Sequence, residues 1–133
     1  MVINFEIPGP VQGKARARTF YDKRASKMRS VTPEKTASYE NLVKLCFLQK
    51  RPVPFSIITG PVKVTITAFY RKAKTNKMST PMIKPDADNI CKVVLDSLNG
   101  VAYLDDKQVI NTNISKRWAD GDNEKLSVII QSI

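Results

Sequence analysis

Apolar and polar positions alternate with a period of two in four stretches of this 133-residue chain. Residues 2–7 place Ile3, Phe5 and Ile7 on one face, and Pro8-Gly9-Pro10 ends the run. Residues 62–70 place Val62, Val64, Ile66, Ala68 and Tyr70 together, after a Thr59-Gly60-Pro61 turn. Residues 108–118 put Ile110, Thr112, Ile114 and Trp118 on one side, and Leu126, Val128 and Ile130 mark a fourth strand. Only the turn sequence Asp120-Gly121-Asp122-Asn123 separates the last two, which predicts an antiparallel hairpin. Helical spacing appears twice. Tyr39, Leu42, Val43, Cys46 and Phe47 form one stripe, with Thr32 as cap, Pro33 at the first helical position and Pro52 and Pro54 preventing continuation. Cys91, Val94, Leu95 and Leu98 form the other, with Asp88 or Asn89 suited to the N-cap and Asn99-Gly100 to the stop. These elements predict one α+β domain over residues 1–133, a mixed β-sheet of about four main strands with two helices packed on it. Strand order is not legible.

Charge changes the picture. Twenty-two Lys and Arg against twelve Asp and Glu give a net charge of +10. Residues 12–30 form a basic arm carrying Lys14, Arg16, Arg18, Lys23, Arg24, Lys27 and Arg29 against Asp22 alone, with Thr19-Phe20-Tyr21 interrupting it. Either this is a solvated loop or it tracks phosphates. Packing on the body is the expected role of its aromatics. A second basic segment, about 71–83, with Arg71, Lys72, Lys74 and Lys77, lacks any period and reads as a mobile loop. Two cysteines do not make a disulfide framework and read as reduced core residues. No signal-like segment and no bilayer-spanning run is visible, so the expectation is a cytoplasmic protein without membrane contact. The absence of histidine removes the commonest general base and zinc ligand.

Against this basic background, five of the twelve acids (Asp86, Asp88, Asp96, Asp105 and Asp106) fall in one short region. In an extended segment Asp86 and Asp88 would present both carboxylates to one spot. Lys92 and Asp96 would follow on the helix beyond them, off the apolar stripe. Asp105-Asp106 lies past the helix, where the chain can return to the first pair. Close carboxylates are costly unless a proton or a metal ion joins them. An EF-hand is excluded, since counting from Asp86 its obligatory Gly and Glu positions hold Cys91 and Ser97. A solvated Asp-rich turn remains open. The acids around residues 120–124 read as surface turn chemistry, and Trp118 as core or dimer interface.

Three pieces, Lys84-Pro85-Asp86-Ala87-Asp88-Asn89-Ile90-Cys91-Lys92, Asp96-Ser97-Leu98-Asn99-Gly100 and Tyr103-Leu104-Asp105-Asp106-Lys107-Gln108-Val109, together resemble the RusA-type Holliday junction resolvases of bacteria and their prophages. The resemblance implies a small homodimeric endonuclease that uses Mg²⁺, with Mn²⁺ as a substitute, to cut four-way DNA junctions in recombination and repair. Carried over from the family pattern, Asp86, Asp88 and Asp106 would be the principal metal ligands and Asp105 a weaker one. Lys92 would donate to the phosphate or leaving oxygen, or orient the attacking water. Its bland alternative is an ion pair with Asp88 or Asp96. Two rival functions stay open: a non-catalytic basic nucleic-acid-binding protein, and a metal-dependent nuclease for other branched DNA.

Overall fold

A computed structural model of the chain describes residues 1–15, 18–31 and 33–133. Its main sheet has four strands, β1 (Val2–Pro8), β4 (Val62–Tyr70), β5 (Val109–Trp118) and β6 (Lys125–Ser132), in the order β1-β6-β4-β5. The β1–β6 and β6–β4 pairings are antiparallel, while β4 and β5 run parallel. The predicted hairpin is therefore wrong: β5 and β6 are neighbours in sequence, but β4 lies between them. Two strand spacings are about 10 Å, and the six residues 119–124 span that distance easily. Strand β4 wins the central place because its inward face is apolar throughout and fully buried. Strand β5 is the weakly buried edge. A register shift between Val62 and Lys63 leaves Ile110 unpaired and exposed, and Thr112 is exposed too, so only Ile114 and Trp118 of the predicted β5 face pack on the core.

Both helices cover the same face of this sheet. Helix α1 (Glu34–Lys50) buries Thr36, Tyr39, Val43 and Phe47, close to the expected stripe. The Phe47 ring meets Phe5 of β1 and Phe55 edge-on, each at 5.6 Å. Pro33 is the N-cap of α1 and not its first helical residue. Thr32, the expected cap, lies outside the described residues.

Helix α2 (Ala87–Leu98) is the crossover between the parallel strands β4 and β5. It begins earlier than the sequence suggests, with Asp86 at the N-cap. Its core face is Ile90, Val93, Val94, Ser97 and Leu98, turned from the expected stripe so that Cys91 and Leu95 are only half-buried. Ser97 hides the true face from a hydrophobicity pattern. Its hydroxyl donates to the Val93 carbonyl one turn back, which satisfies a polar group in the core. Both cysteines are free and half-buried. Asn99 and Gly100, at φ +77°, end the helix as expected.

The basic arm holds the largest surprise. Residues read as a loop form a second, two-stranded sheet, β2 (Arg18–Asp22) paired antiparallel with β3 (Lys27–Val31). Asp22, the lone acid of the arm, organises it. One carboxylate oxygen accepts from the backbone N–H groups of Arg24 and Ala25 across the turn, at 3.0 and 3.3 Å, and the other pairs with Arg29 at 2.7 Å.

Candidate active site and nucleic-acid interface

Three anchors hold the chain leading into α2. The Tyr70 hydroxyl, at the end of β4, donates to the Pro85 carbonyl at 2.7 Å. From β5, the Lys116 ammonium donates to the Ile83 carbonyl at 2.6 Å and lies 5.1 Å above the Tyr70 ring. Burial, then the nearby Asp86 charge, pushes the Tyr70 phenol up to about 12, so it stays a donor. On the other side, Gly13 passes so close that a side chain there would meet the Asn89 Cβ at 2.8 Å and the Pro85 Cβ at 3.0 Å. The Lys14 N–H donates to the Asn89 carbonyl at 2.9 Å, and the Ala15 N–H to Thr36 Oγ1 at 3.3 Å. Tyr70, Lys116 and Gly13 escaped sequence reasoning. Tyr70 and Lys116 look like ordinary strand residues until the loop is seen returning over the strand ends.

These anchors present Asp86 and Asp88 to solvent at the start of α2. Asp86 occupies the N-cap, yet its carboxylate makes no capping hydrogen bond and is left for another partner. Because Asp88 already lies in the first helical turn, the two acids are not alternate residues of one extended strand, as expected from sequence. Lys92 follows one turn on, exposed, and forms no ion pair among the described residues. Asp96 pairs instead with Lys14 at 3.4 Å, and Lys14 also reaches Glu40 at 3.2 Å. Lys14, expected on DNA, is thus a half-buried bridge between the arm, α1 and α2.

The second acidic pair sits on a 3₁₀ turn, Asp106–Gln108. Asp105 caps it: its carboxylate accepts from the Lys107 N–H at 3.0 Å, while Gln108 Oε1 accepts from the Asp105 N–H at 2.9 Å. The Gln108 amide fixes this turn to the body by donating to the Ile58 and Gly60 carbonyls at 2.8 and 2.9 Å. The Lys107 N–H, foremost, holds the Asp105 carboxyl below its ordinary range. Asp106 is held above it, first by desolvation, then by the hydrogen bond and charge of Asp105 and by Asp96, with Lys92 opposing. The 3₁₀ turn touches α2, and Asp106 lies there in the field of Lys92 and Asp96.

The acids form a strip along α2 and not a closed cage. Among the described residues no three His, Cys, Asp or Glu side chains converge on one point. The donor set is all carboxylate oxygen, with Asp86 free of a capping bond and Asp106 crowded by Asp105 and Asp96, and this suits a hard cation. Mg²⁺ takes only one or two protein carboxylates and completes its shell with water and phosphate, so a strip of this kind is compatible with it.

A cleft of about 580 Å³ opens beside Asp86, lined by residues 11–15, by Pro33, Lys35 and Thr36 at the start of α1, and by residues 84–86 and Asn89. Ala15, shortly before β2, and Pro33, shortly after β3, both line this cleft, so the β2–β3 ribbon is joined to the body beside it. Phe20 and Tyr21 are 45% and 57% exposed, which overturns their expected packing on the body. Among the cations expected on DNA, Arg29 is paired with Asp22, Arg71 with Asp122 at 2.9 Å, and Lys72 lies 5.6 Å over the Trp118 ring. Lys23, Arg24, Lys27, Lys74 and Lys77 form no ion pair among the described residues. Arg16 and the Arg18 side chain lie outside what is described. The segment 71–83 carries no helix or strand but is tied down at Met78, whose carbonyl accepts from the Trp118 indole at 3.1 Å, and at Ile83.

No helix of the described chain is long and apolar enough to cross a membrane. Comparison with known proteins gives 30% identity to the uncharacterised protein YqaN of Bacillus subtilis (strain 168), over 98% of this chain and 96% of that one. The family model for endodeoxyribonuclease RusA matches residues 8–131, which takes in the arm, the acidic strip, β4, β5 and nearly all of β6. By its acidic strip, its basic surface and this match, the chain belongs to the RusA endodeoxyribonuclease family.

Proposed function

We propose that the protein is a divalent-metal-dependent endonuclease that resolves four-way DNA junctions by paired phosphodiester hydrolysis. The observation that carries this reading is the Asp86 carboxylate at the N-cap of α2, which makes no capping hydrogen bond and no ion pair among the described residues, with Asp88 beside it and the chain held by Tyr70, Lys116 and Gly13. A structural acid at an N-cap would bond the helix N–H groups. Mg²⁺ held by Asp86, Asp88 and Asp106 would supply an acidified water and polarise the scissile phosphate. Asp105, whose carboxylate already caps its own turn, is at most an outer ligand. Lys92, without an ion pair among the described residues, donates to a phosphate oxygen or the leaving oxygen. Lys14 with Asp96 keeps the arm against α2, and Lys23, Arg24, Lys27, Lys74 and Lys77 meet the phosphates of the DNA arms.

Two symmetric cuts need two sites, and each chain carries one acidic strip. An isologous homodimer matches the approximate two-fold symmetry of the junction. Mixing wild-type protein with Asp88→Asn protein should give heterodimers that nick one strand, and light scattering should give twice the chain mass. The primary test incubates purified protein with a synthetic four-way junction, with and without Mg²⁺, beside linear duplex. Junction-selective, Mg²⁺-dependent paired cuts support the reading. Binding without cleavage would favour a non-catalytic nucleic-acid-binding protein, and cleavage of flaps in preference to junctions would favour a nuclease for other branched DNA.

A further inference from the structure

The two faces of the β2–β3 ribbon differ in chemistry. Paired residues of an antiparallel ribbon share a face. Phe20 with Arg29 and Asp22 with Lys27 therefore occupy one side, which is charged. Tyr21 with Met28 and Thr19 with Ser30 occupy the other, which carries no charge at all. Tyr21 and Met28 are 57% and 61% exposed. The tip between the strands carries Lys23 and Arg24. Five paired residues at about 3.4 Å each give the ribbon a length of roughly 17 Å. An isolated two-stranded ribbon is marginal in water, and an exposed aromatic–thioether pair on it points to an occupant.

Charge narrows the choice. The cationic tip and Lys27, which has no ion pair among the described residues, favour a polyanion, yet an uncharged face bearing Tyr21 and Met28 offers nothing to phosphate. It suits the flat, apolar faces of nucleobases, which stacked duplex hides and a branch point exposes. We infer that the ribbon is a branch-point reader: Lys23, Arg24 and Lys27 hold phosphates while Tyr21 and Met28 pack on bases unstacked at the junction centre. This holds the branch within one ribbon length of the cleft that Asp86 lines. The inference rests on the junction-cleaving function proposed above and adds to it the element that tells branched from linear DNA.

The test uses full-length protein without metal and a four-way junction carrying 2-aminopurine beside the branch, with linear duplex of the same sequence as reference. Wild-type protein should raise 2-aminopurine fluorescence on the junction and not on the duplex. Tyr21→Ala/Met28→Ala should lose most of that rise and bind the junction about tenfold more weakly, the scale of one lost base stack, while duplex affinity and its salt slope stay as in wild type. Tyr21→Phe should keep the rise, because the ring and not the hydroxyl stacks. Circular dichroism and melting of the double variant should match wild type, since both side chains are exposed. A wild-type-like rise and junction affinity in the double variant would overturn the inference while leaving the nuclease reading standing. If wild-type protein itself binds both DNAs alike, both fall. A double variant that turns monomeric in light scattering assigns the face to a subunit contact and also overturns it.

Discussion

The acidic strip and the basic ribbon come from stretches of chain separated by α1 and β4, and they are built in opposite ways. Around Asp86, every approach is fixed: Tyr70 and Lys116 grip the preceding carbonyls, Gly13 packs on Asn89, and α2 sinks five residues into the core. The β2–β3 ribbon is held by its own ladder and by Asp22, and every residue of β3 is exposed. Hydrolysis requires reacting atoms placed within fractions of an ångström, which only a body packed at core density maintains. Gripping a bulky, bent polyanion requires reach, and a ribbon provides it without disturbing the core. Where the two regions meet, at the cleft rim, Lys14 ties them through Glu40 and Asp96.

Removing the strip's carboxylates should separate the two regions most sharply. Asp86→Asn, Asp88→Asn and Asp106→Asn should each abolish cleavage and leave junction binding intact or tighter, because a like charge facing phosphate has gone. Near-normal cleavage by any one of them in Mg²⁺ would remove that residue from the ligand set.

Loosening the strip without touching its acids comes next. Tyr70→Phe combined with Lys116→Met deletes the bonds to Pro85 and Ile83 and should slow single-turnover cleavage roughly ten- to a hundredfold, the cost of a displacement near 1 Å. Junction Kd should hardly move, whereas a purely structural role would lower Tm and leave the rate per folded molecule unchanged.

On the ribbon, Lys23→Ala/Arg24→Ala/Lys27→Ala should weaken binding to any DNA and lower the log–log salt slope by about 0.9 per lost phosphate contact. Arg29→Ala should do less in binding and more in ribbon stability, since Arg29 is committed to Asp22. An unchanged slope in the triple variant would return the ribbon to a solvated appendage.

The smallest effect is thermodynamic. A carboxyl whose folded pKa is raised is disfavoured in its charged form, so at neutral pH the Asp106 charge costs stability. Asp106→Asn should therefore raise Tm slightly at pH 7 in the absence of metal. That gain should fade as pH drops from the raised value through the ordinary carboxylate range. A fall in Tm at pH 7 would mean Asp106 is a structural acid.

Much of this was legible in the chain, for identifiable reasons. The clean alternation of Val62–Tyr70 marks the central strand because β4 is buried on one face along its whole length. The Asp86–Asp88 and Asp105–Asp106 pairs stand out because the surroundings are basic. What stayed hidden depends on non-local contacts. Strand order follows from β4 intervening between β5 and β6, which no turn sequence reveals. The hydrophobic pattern misplaces the face of α2 because a self-satisfied Ser97 occupies the core. The ribbon's strands were masked by their cations, since with neither face buried there is no hydrophobic alternation to read. Lys14 resembled its basic neighbours, and only folding brings Glu40 and Asp96 to it.

The division of labour between strip and ribbon is tested most directly by single-turnover cleavage of a four-way junction at saturating protein, with Mg²⁺ titrated from zero. The account expects no cleavage in chelator and Mg²⁺-dependent paired cuts by wild-type protein. The Lys23/Arg24/Lys27 triple-alanine variant should cut at nearly the same rate once saturated, and Asp86→Asn should not cut at any Mg²⁺ concentration. Cleavage that persists in chelator, or an Asp86→Asn protein that cuts while the saturated ribbon variant does not, would contradict it.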